Sequence, residues 1–253
     1  TYIHMEEKIV QKFGNSSHIV LPKEYLGRRI RFVAEPKTLY DIKSKIIEIL
    51  KPYLENIIGI YLYGSYARNE QAIDSDVDIL VVTDSTLKIM ERTSNYTIVS
   101  ATVKEINALL KSNAILILPI IKEAKTIVNP IFLGSYMEAK FTKSNTKKFI
   151  ASTSQVLELN KKGLELDFQI GSLVYSLVLR IRGLLMIKLI LNNSLYSKAL
   201  LFEHLEKNGF KKNKVEELYK IYNSEKNDVK IKESNIIAKE DIKKLIALAG
   251  KLM

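Results

Sequence analysis

Two apolar runs of strand length, residues 57–63 and 77–83, constrain this chain more than any other feature. Neither alternates with polar residues, so each reads as a strand covered on both faces. A helix is expected directly upstream. Thr38 is placed to cap it, and Asp41, three residues on, complements its first turn. Leu39, Ile42, Ile46, Ile49 and Leu50 then share one helical face, which Pro52 ends. A third strand is expected over 96–103, a helix over 104–110, and short elements around Pro119. Residues 35–144 therefore read as an α/β domain.

The flanking regions differ in kind. From residue 145 onward, apolar positions such as Leu173, Leu177, Ile181 and Leu184 keep a three/four spacing, the mark of a long amphipathic helix. Shorter helices are expected over 199–207, 215–222 and 239–252, so residues 145–253 read as a small all-helical bundle. Residues 1–34 alternate in short runs: a strand over 8–13, a turn over 14–17, a second strand over 18–21, a short helix starting at Pro22 and stopped by Gly27, and a third strand over 29–33. The fold class is α+β: a mixed domain, a helical bundle after it, and a small β module before it.

Composition narrows the function classes. Cysteine is absent, which excludes a disulfide framework and thiolate metal sites. The most apolar stretch, 173–191, is interrupted by Arg180, Arg182 and Lys188, so no transmembrane helix is expected. The N-terminus lacks the pattern of a signal peptide, and Met5 is the expected natural start; a cytoplasmic protein is the expectation. Lys plus Arg number 39 against 28 Asp plus Glu, a formal net charge of +11. That balance suits a polyanionic partner, although lysine-rich surfaces also arise from biased genomes or adaptation to heat.

The chemistry sits between the two apolar runs. The first ends at Gly64-Ser65, followed by Arg68; the second opens on Ser75-Asp76-Val77-Asp78. Glycine permits close backbone approach, the Ser65 hydroxyl offers a hydrogen bond, and a helix starting here would turn free N–H groups toward an anion. Arg68, one turn in, can clamp a phosphate bidentately. Period-two alternation puts the carboxylates of Asp76 and Asp78 on one strand face, able to share a divalent cation. Hard oxygen ligands beside phosphate imply Mg²⁺ or Mn²⁺. Taken alone, Gly-Ser is a common turn and Asp-x-Asp a common strand start; the ordered combination is much less common.

The pattern G-S-x-A-R-x…S-D-x-D-I-L-V-V resembles the signature of the minimal nucleotidyltransferases in the DNA polymerase β superfamily, relatives of kanamycin nucleotidyltransferase. The resemblance implies a mixed-sheet catalytic domain and Mg²⁺-dependent transfer of a nucleotidyl group, often AMP, from a nucleoside triphosphate to a hydroxyl acceptor. It implies that Gly64, Ser65, Arg68 and Ser75 bind the nucleotide, and that Asp76 and Asp78 are catalytic and hold the metal. The acceptor is left open among a protein, an RNA and a small molecule.

Two departures from the family pattern stand out. Asn69 occupies a position usually held by glycine, and asparagine tolerates left-handed backbone. The family usually adds a third carboxylate on a following strand, but residues 96–103 contain none; Glu105 and Glu123 are the nearest candidates along the chain. Without that acid, general-base assistance worth about 10²–10⁴-fold is lost. A catalytically degenerate DNA-binding regulator or antitoxin-like protein is therefore the rival expectation.

The flanks carry their own resemblances. The strand-turn-strand-Leu21-Pro22-Lys23-Glu24-Tyr25-Leu26-Gly27-strand pattern is similar to the swapped-hairpin modules of AbrB- and MazE-like DNA-binding proteins. That likeness implies a homodimer, with Lys12, Lys23, Arg28 and Arg29 toward a DNA backbone. The helical region resembles the HEPN-like or substrate-binding domains that follow minimal nucleotidyltransferases. HEPN ribonucleases pair an arginine and a histidine within one helix. His204 has no arginine near it, so ribonuclease chemistry is not supported. Arg180 and Arg182 either approach the nucleotide across a cleft or cover helix edges.

Overall fold

The computed structural model describes residues 7–33, 35–73, 75–87, 89, 95–137, 141–227 and 236–253. The chain separates into two compact units, Thr1–Glu35 and Pro36–Met253.

In the first unit β1 (Gln11–Phe13) and β2 (Ser16–His18) form an antiparallel hairpin. Its tight turn rests on Gly14, whose φ of +57° suits a residue without a Cβ. Both strands are shorter than the sequence predicts, and β2 starts two residues earlier because Ser16 and Ser17 pair with Phe13 and Lys12 instead of joining the turn. Lys23–Tyr25 make one 3₁₀ turn, which Gly27 follows at positive φ. The expected third strand over 29–33 is not formed. A strand exists only where its N–H and C=O groups meet a ladder partner, and among the described residues none pairs with this segment. Apart from half-buried Tyr25, every described residue of 7–33 is exposed, including Ile9, Phe13, Leu26, Phe32 and Val33.

The second unit opens with α1 (Leu39–Leu50), whose Thr38–Asp41 capping box is complete as expected. Four strands follow: β3 (Ile57–Tyr63), β4 (Val77–Thr83), β5 (Tyr96–Thr102) and β6 (Lys125–Val128). A one-turn helix, α2 (Ser65–Arg68), lies between the first two. After β5 come α3 (Val103–Ser112) and α4 (Leu118–Glu123), and after β6 α5 (Pro130–Met137). The sheet order is β5-β4-β3-β6, with β4 and β5 parallel and the other pairs antiparallel. Both faces are covered, as the unbroken apolar runs require. Ile60, Leu62, Ile79 and Val81 pack under Ile42, Ile46 and Leu50 of α1, while Tyr61, Leu80 and Val82 meet Ile106, Ile121 and Leu133 on the other side.

Five helices follow: α6 (Lys147–Glu165), α7 (Ile170–Leu191), α8 (Lys198–Lys207), α9 (Lys212–Lys226) and α10 (Lys239–Leu252). Helix α7 is the axis of the bundle, lending Val174, Leu177, Val178, Ile181 and Leu184 to a core shared with Leu218 of α9 and Leu245 of α10. The acid–base pair Lys214–Asp241, 2.5 Å apart, ties α9 to the start of α10. A small buried cluster of Ala114, Leu118 and Ile190 joins the far end of α7 to the α/β layer. No helix among the described residues is long and apolar enough to cross a membrane.

Candidate active site

Strand β3 delivers the chain to Gly64, where φ 77° and ψ −151° turn it sharply into α2. These angles are accessible to glycine and costly for other residues. The helix lasts one turn because Asn69 adopts the left-handed conformation, φ 57°, that its sequence position called for. Ser65 opens α2, where the first N–H groups have no acceptor within the helix.

The antiparallel register sets Asp78 directly opposite Tyr63, the residue before the turn. A Cβ at residue 64 would lie 2.2 Å from Oδ2 of Asp78, so the carboxylate rests against the glycine backbone. Asp76 precedes β4 by one residue and is half-buried. Ser75 closes the loop before it, its Oγ accepting from the Ala72 N–H at 2.8 Å.

The Asp78 carboxyl is pushed up to about 6. Burial is the main cause and the Asp76 charge adds to it, while Lys226, Arg182 and Arg68 act in the opposite direction. Two of those cations, Arg182 of α7 and Lys226 of α9, come from the helical bundle, so the bundle faces the strand end where Asp78 lies. The Tyr63 hydroxyl is pushed well above its usual range by burial, then by Asp78 and Glu123.

Glu123, at the end of α4, is drawn into the site because Lys125 of β6 pairs with Leu62 of β3. One of its oxygens accepts from the Gly64 N–H at 2.9 Å, and the other from the Arg68 guanidinium at 2.8 Å. Arg68 also donates through Nε to Glu70 at 2.8 Å, and the second oxygen of Glu70 accepts from the Lys198 N–H at the start of α8, again at 2.8 Å. The arginine is thus held by two carboxylates, one of which also anchors a bundle helix.

The bundle side is aromatic and cationic. The Arg182 guanidinium lies 5.1 Å from the Tyr196 ring centre, and Arg68 lies 5.5 Å from the same ring. Arg182 donates to the Tyr222 hydroxyl at 3.1 Å, but its buried Nε has no partner. Arg180 points elsewhere, stacking on Phe149 at 5.4 Å and reaching Ser152. Of the two arginines, Arg182 therefore faces the strand end where Asp78 lies, and Arg180 covers a helix edge.

Of the expected site residues, Gly64, Ser65, Arg68, Asp76 and Asp78 converge on one corner of the sheet. The β5 residue level with Asp78 is exposed Thr97, so that strand brings no acid there. Glu105 is taken up in the capping box of α3, 2.7 Å from the Thr102 N–H. Among the described residues no three His, Cys, Asp or Glu side chains stand close enough to hold a metal; Asp76 and Asp78 form the available hard-oxygen pair. Sequence reading left Glu70, Tyr196 and Lys226 out; Tyr196 and Lys226 arrive from the helical bundle with no local signal, and Glu70, two residues after Arg68, is marked only by the bond it makes there.

Residues 44–132 match the family described as Polymerase beta, Nucleotidyltransferase. No curated protein matches the chain. Among solved structures, the chain is similar to a spectinomycin adenyltransferase from Enterococcus faecialis, determined with ATP and spectinomycin. The TM-score is 0.52 at 15% identity, over 85% of this chain and 99% of that one. A nucleotidyltransferase-like protein from Exiguobacterium sibiricum matches at TM-score 0.36 and 13% identity, over 83% of this chain and 74% of that one.

Proposed function

We propose that the chain moves a nucleoside monophosphate, AMP in the first instance, from a nucleoside triphosphate to a hydroxyl group, a reading supported by the match of residues 44–132 to the polymerase β nucleotidyltransferase family. On this reading residues 35–144 are the transferase domain and 145–253 a helical domain that closes over it. The observation that carries the proposal is the convergence of the Gly64–Ser65 turn with the Asp78 carboxylate at the end of two paired strands.

The chemistry asks for three things. The acceptor oxygen must attack the α-phosphorus while the bond to the bridging oxygen breaks and pyrophosphate leaves; the triphosphate must be held in line; and its charge must be offset. Ser65 and the open N–H groups of α2 supply donors, and Arg68 and Arg182 supply guanidinium charge. Arg182 fits that role because it is buried with an unpartnered Nε and has no ion pair among the described residues, which makes an anionic ligand favourable there.

Mg²⁺ or Mn²⁺ fits the paired carboxylates. Asp78 is desolvated and crowded by Asp76, and Lys226, Arg182 and Arg68 offset only part of that cost, so a cation beside its ionised form would be favourable. When bound, a divalent ion would lower the charge opposing attack at the α-phosphorus. Asp76 and Asp78 would hold it, with substrate oxygens completing the shell.

The similar structure from Enterococcus faecialis was determined with ATP and spectinomycin, which supports ATP as donor and a small molecule as acceptor, ahead of a protein or an RNA. Transfer of an α-phosphate label from ATP to an acceptor mixture tests the reading. The double variant Asp76→Ala, Asp78→Ala is expected to lose that transfer, and unchanged labelling would sink the assignment.

One observation favours a second reading, a degenerate transferase fold serving as scaffold for a DNA-binding regulator or antitoxin-like dimer. The described residues of 7–33 expose nearly every apolar side chain they carry, and a lone two-stranded hairpin is marginal in water. A second copy of the segment would cover those side chains and pair 29–33, while Lys12, Lys23, Arg28 and Arg29 face a phosphate backbone. The lack of a third carboxylate beside Asp76 and Asp78 among the described residues points the same way.

A further inference from the structure

Tyr196 precedes α8 in a segment with no catalytic signature, yet it is 6% exposed and two guanidiniums rest on its ring. Arg68 and Arg182 carry like charges and would separate if left to Coulomb repulsion. A π-face attracts each cation within about 6 Å of its centre, so one ring can keep both close together. The surroundings reinforce the arrangement. Glu70 pins Arg68 Nε to the start of α8 two residues beyond Tyr196, and Tyr222 holds Arg182 from the far side, stacking on Tyr175 at 5.5 Å.

We infer that Tyr196 is a positioning residue that sets Arg68 of the α/β layer and Arg182 of the bundle as a matched pair for the β- and γ-phosphates of the nucleotide. The inference rests on the nucleotidyltransferase reading and deepens it, because it makes triphosphate recognition a property of the joint between layer and bundle. Arg68 alone is already satisfied by Glu70 and Glu123; Arg182 alone has an idle Nε. Neither is placed as a pair without the ring between them.

The experiment is equilibrium binding of ATP and AMP to the full chain with Mg²⁺, for wild type, Tyr196→Phe and Tyr196→Leu, with melting temperature read in parallel. Tyr196→Leu is expected to weaken ATP about tenfold, the loss of two cation–π contacts, and to leave AMP within about twofold by the same account. Tyr196→Phe keeps the ring and retains most of the ATP-over-AMP preference. An equal loss for both nucleotides indicates general damage and overturns the inference, as does unchanged ATP affinity in a folded Tyr196→Leu protein. Should Tyr196→Leu fail to fold, the cycle of Arg68→Lys and Arg182→Lys in the wild-type background decides. Non-additive losses support the matched pair, and additive losses overturn it. If the wild-type chain binds no nucleotide, the transferase reading fails and this inference falls with it. If ATP binding depends on Asp76 and Asp78 but not on the ring, only this inference fails.

Discussion

The carboxylate of Asp78 occupies the space that a side chain on Gly64 would need, with Oδ2 2.2 Å from the position of a Cβ there. Turn and strand are therefore one fitted unit: no side chain can be added at residue 64 without moving the Asp78 carboxylate. The contact also explains the electrostatics. A carboxylate pressed against backbone loses water on that side, and burial is the largest influence raising Asp78 to about 6.

Gly64→Ala should follow directly from this contact. Alanine must adopt φ near +77° and displace Asp78, so a stability loss of roughly 1–2 kcal/mol is expected from backbone strain. Metal-dependent nucleotide binding should fall further than that loss explains. A Gly64→Ala protein that binds Mg²⁺ and nucleotide like wild type would count against the site.

The weakened acidity of Asp78 sets a pH dependence. The metal-holding form is the carboxylate, so Mg²⁺-dependent nucleotide binding should weaken as pH falls through about 6. Stability runs the other way. The folded state binds the Asp78 proton more tightly than the unfolded chain, whose value is near 3.8; the metal-free fold therefore loses stability from this group as pH rises from about 4 to 6. Asp78→Asn removes the penalty and should stabilise the metal-free protein at pH 8 by roughly 1–3 kcal/mol while removing metal binding. Calorimetry at pH 5 and pH 8 checks the sign.

Glu123 accepts from both Gly64 and Arg68. Its truncation leaves a buried amide and a guanidinium with one partner fewer, so Glu123→Ala should cost roughly 1–3 kcal/mol in thermal or urea unfolding. Glu123→Gln keeps an acceptor for the Gly64 N–H and should recover part of that loss. Equal stability of the alanine variant and wild type would show that the latch is not formed in solution.

The N-terminal segment makes a separate prediction. Deleting residues 1–34 should remove salt-sensitive binding to duplex DNA and lower the oligomeric state, with Asp76 and Asp78 variants unaffected in both assays. Sedimentation and a salt series of DNA titrations read the two outcomes. A full-length chain that is monomeric and indifferent to DNA would retire the second reading.

Much of the local structure was legible because it is written in short-range chemistry. The bounds of β3, β4 and α10 follow from unbroken apolar runs and helical spacing, the start of α1 from Thr38 and Asp41, and the left-handed stop of α2 from Asn69. The strand over 29–33 was misread for the complementary reason. Its alternation is local, whereas pairing needs a partner that the described chain does not supply.

What the sequence determined by itself is the corner where Gly64 and Asp78 meet, since two neighbouring strands joined by a short connection can pair in few ways. Tertiary structure alone decided what surrounds that corner. Glu123 reaches Gly64 across 59 residues because β6 pairs with β3, Thr97 lies beside Asp78 because β5 runs parallel to β4, and Arg182 and not Arg180 meets Tyr196 because of how α7 is packed. These relations come from strand order and helix docking, and no periodicity within a single segment carries them.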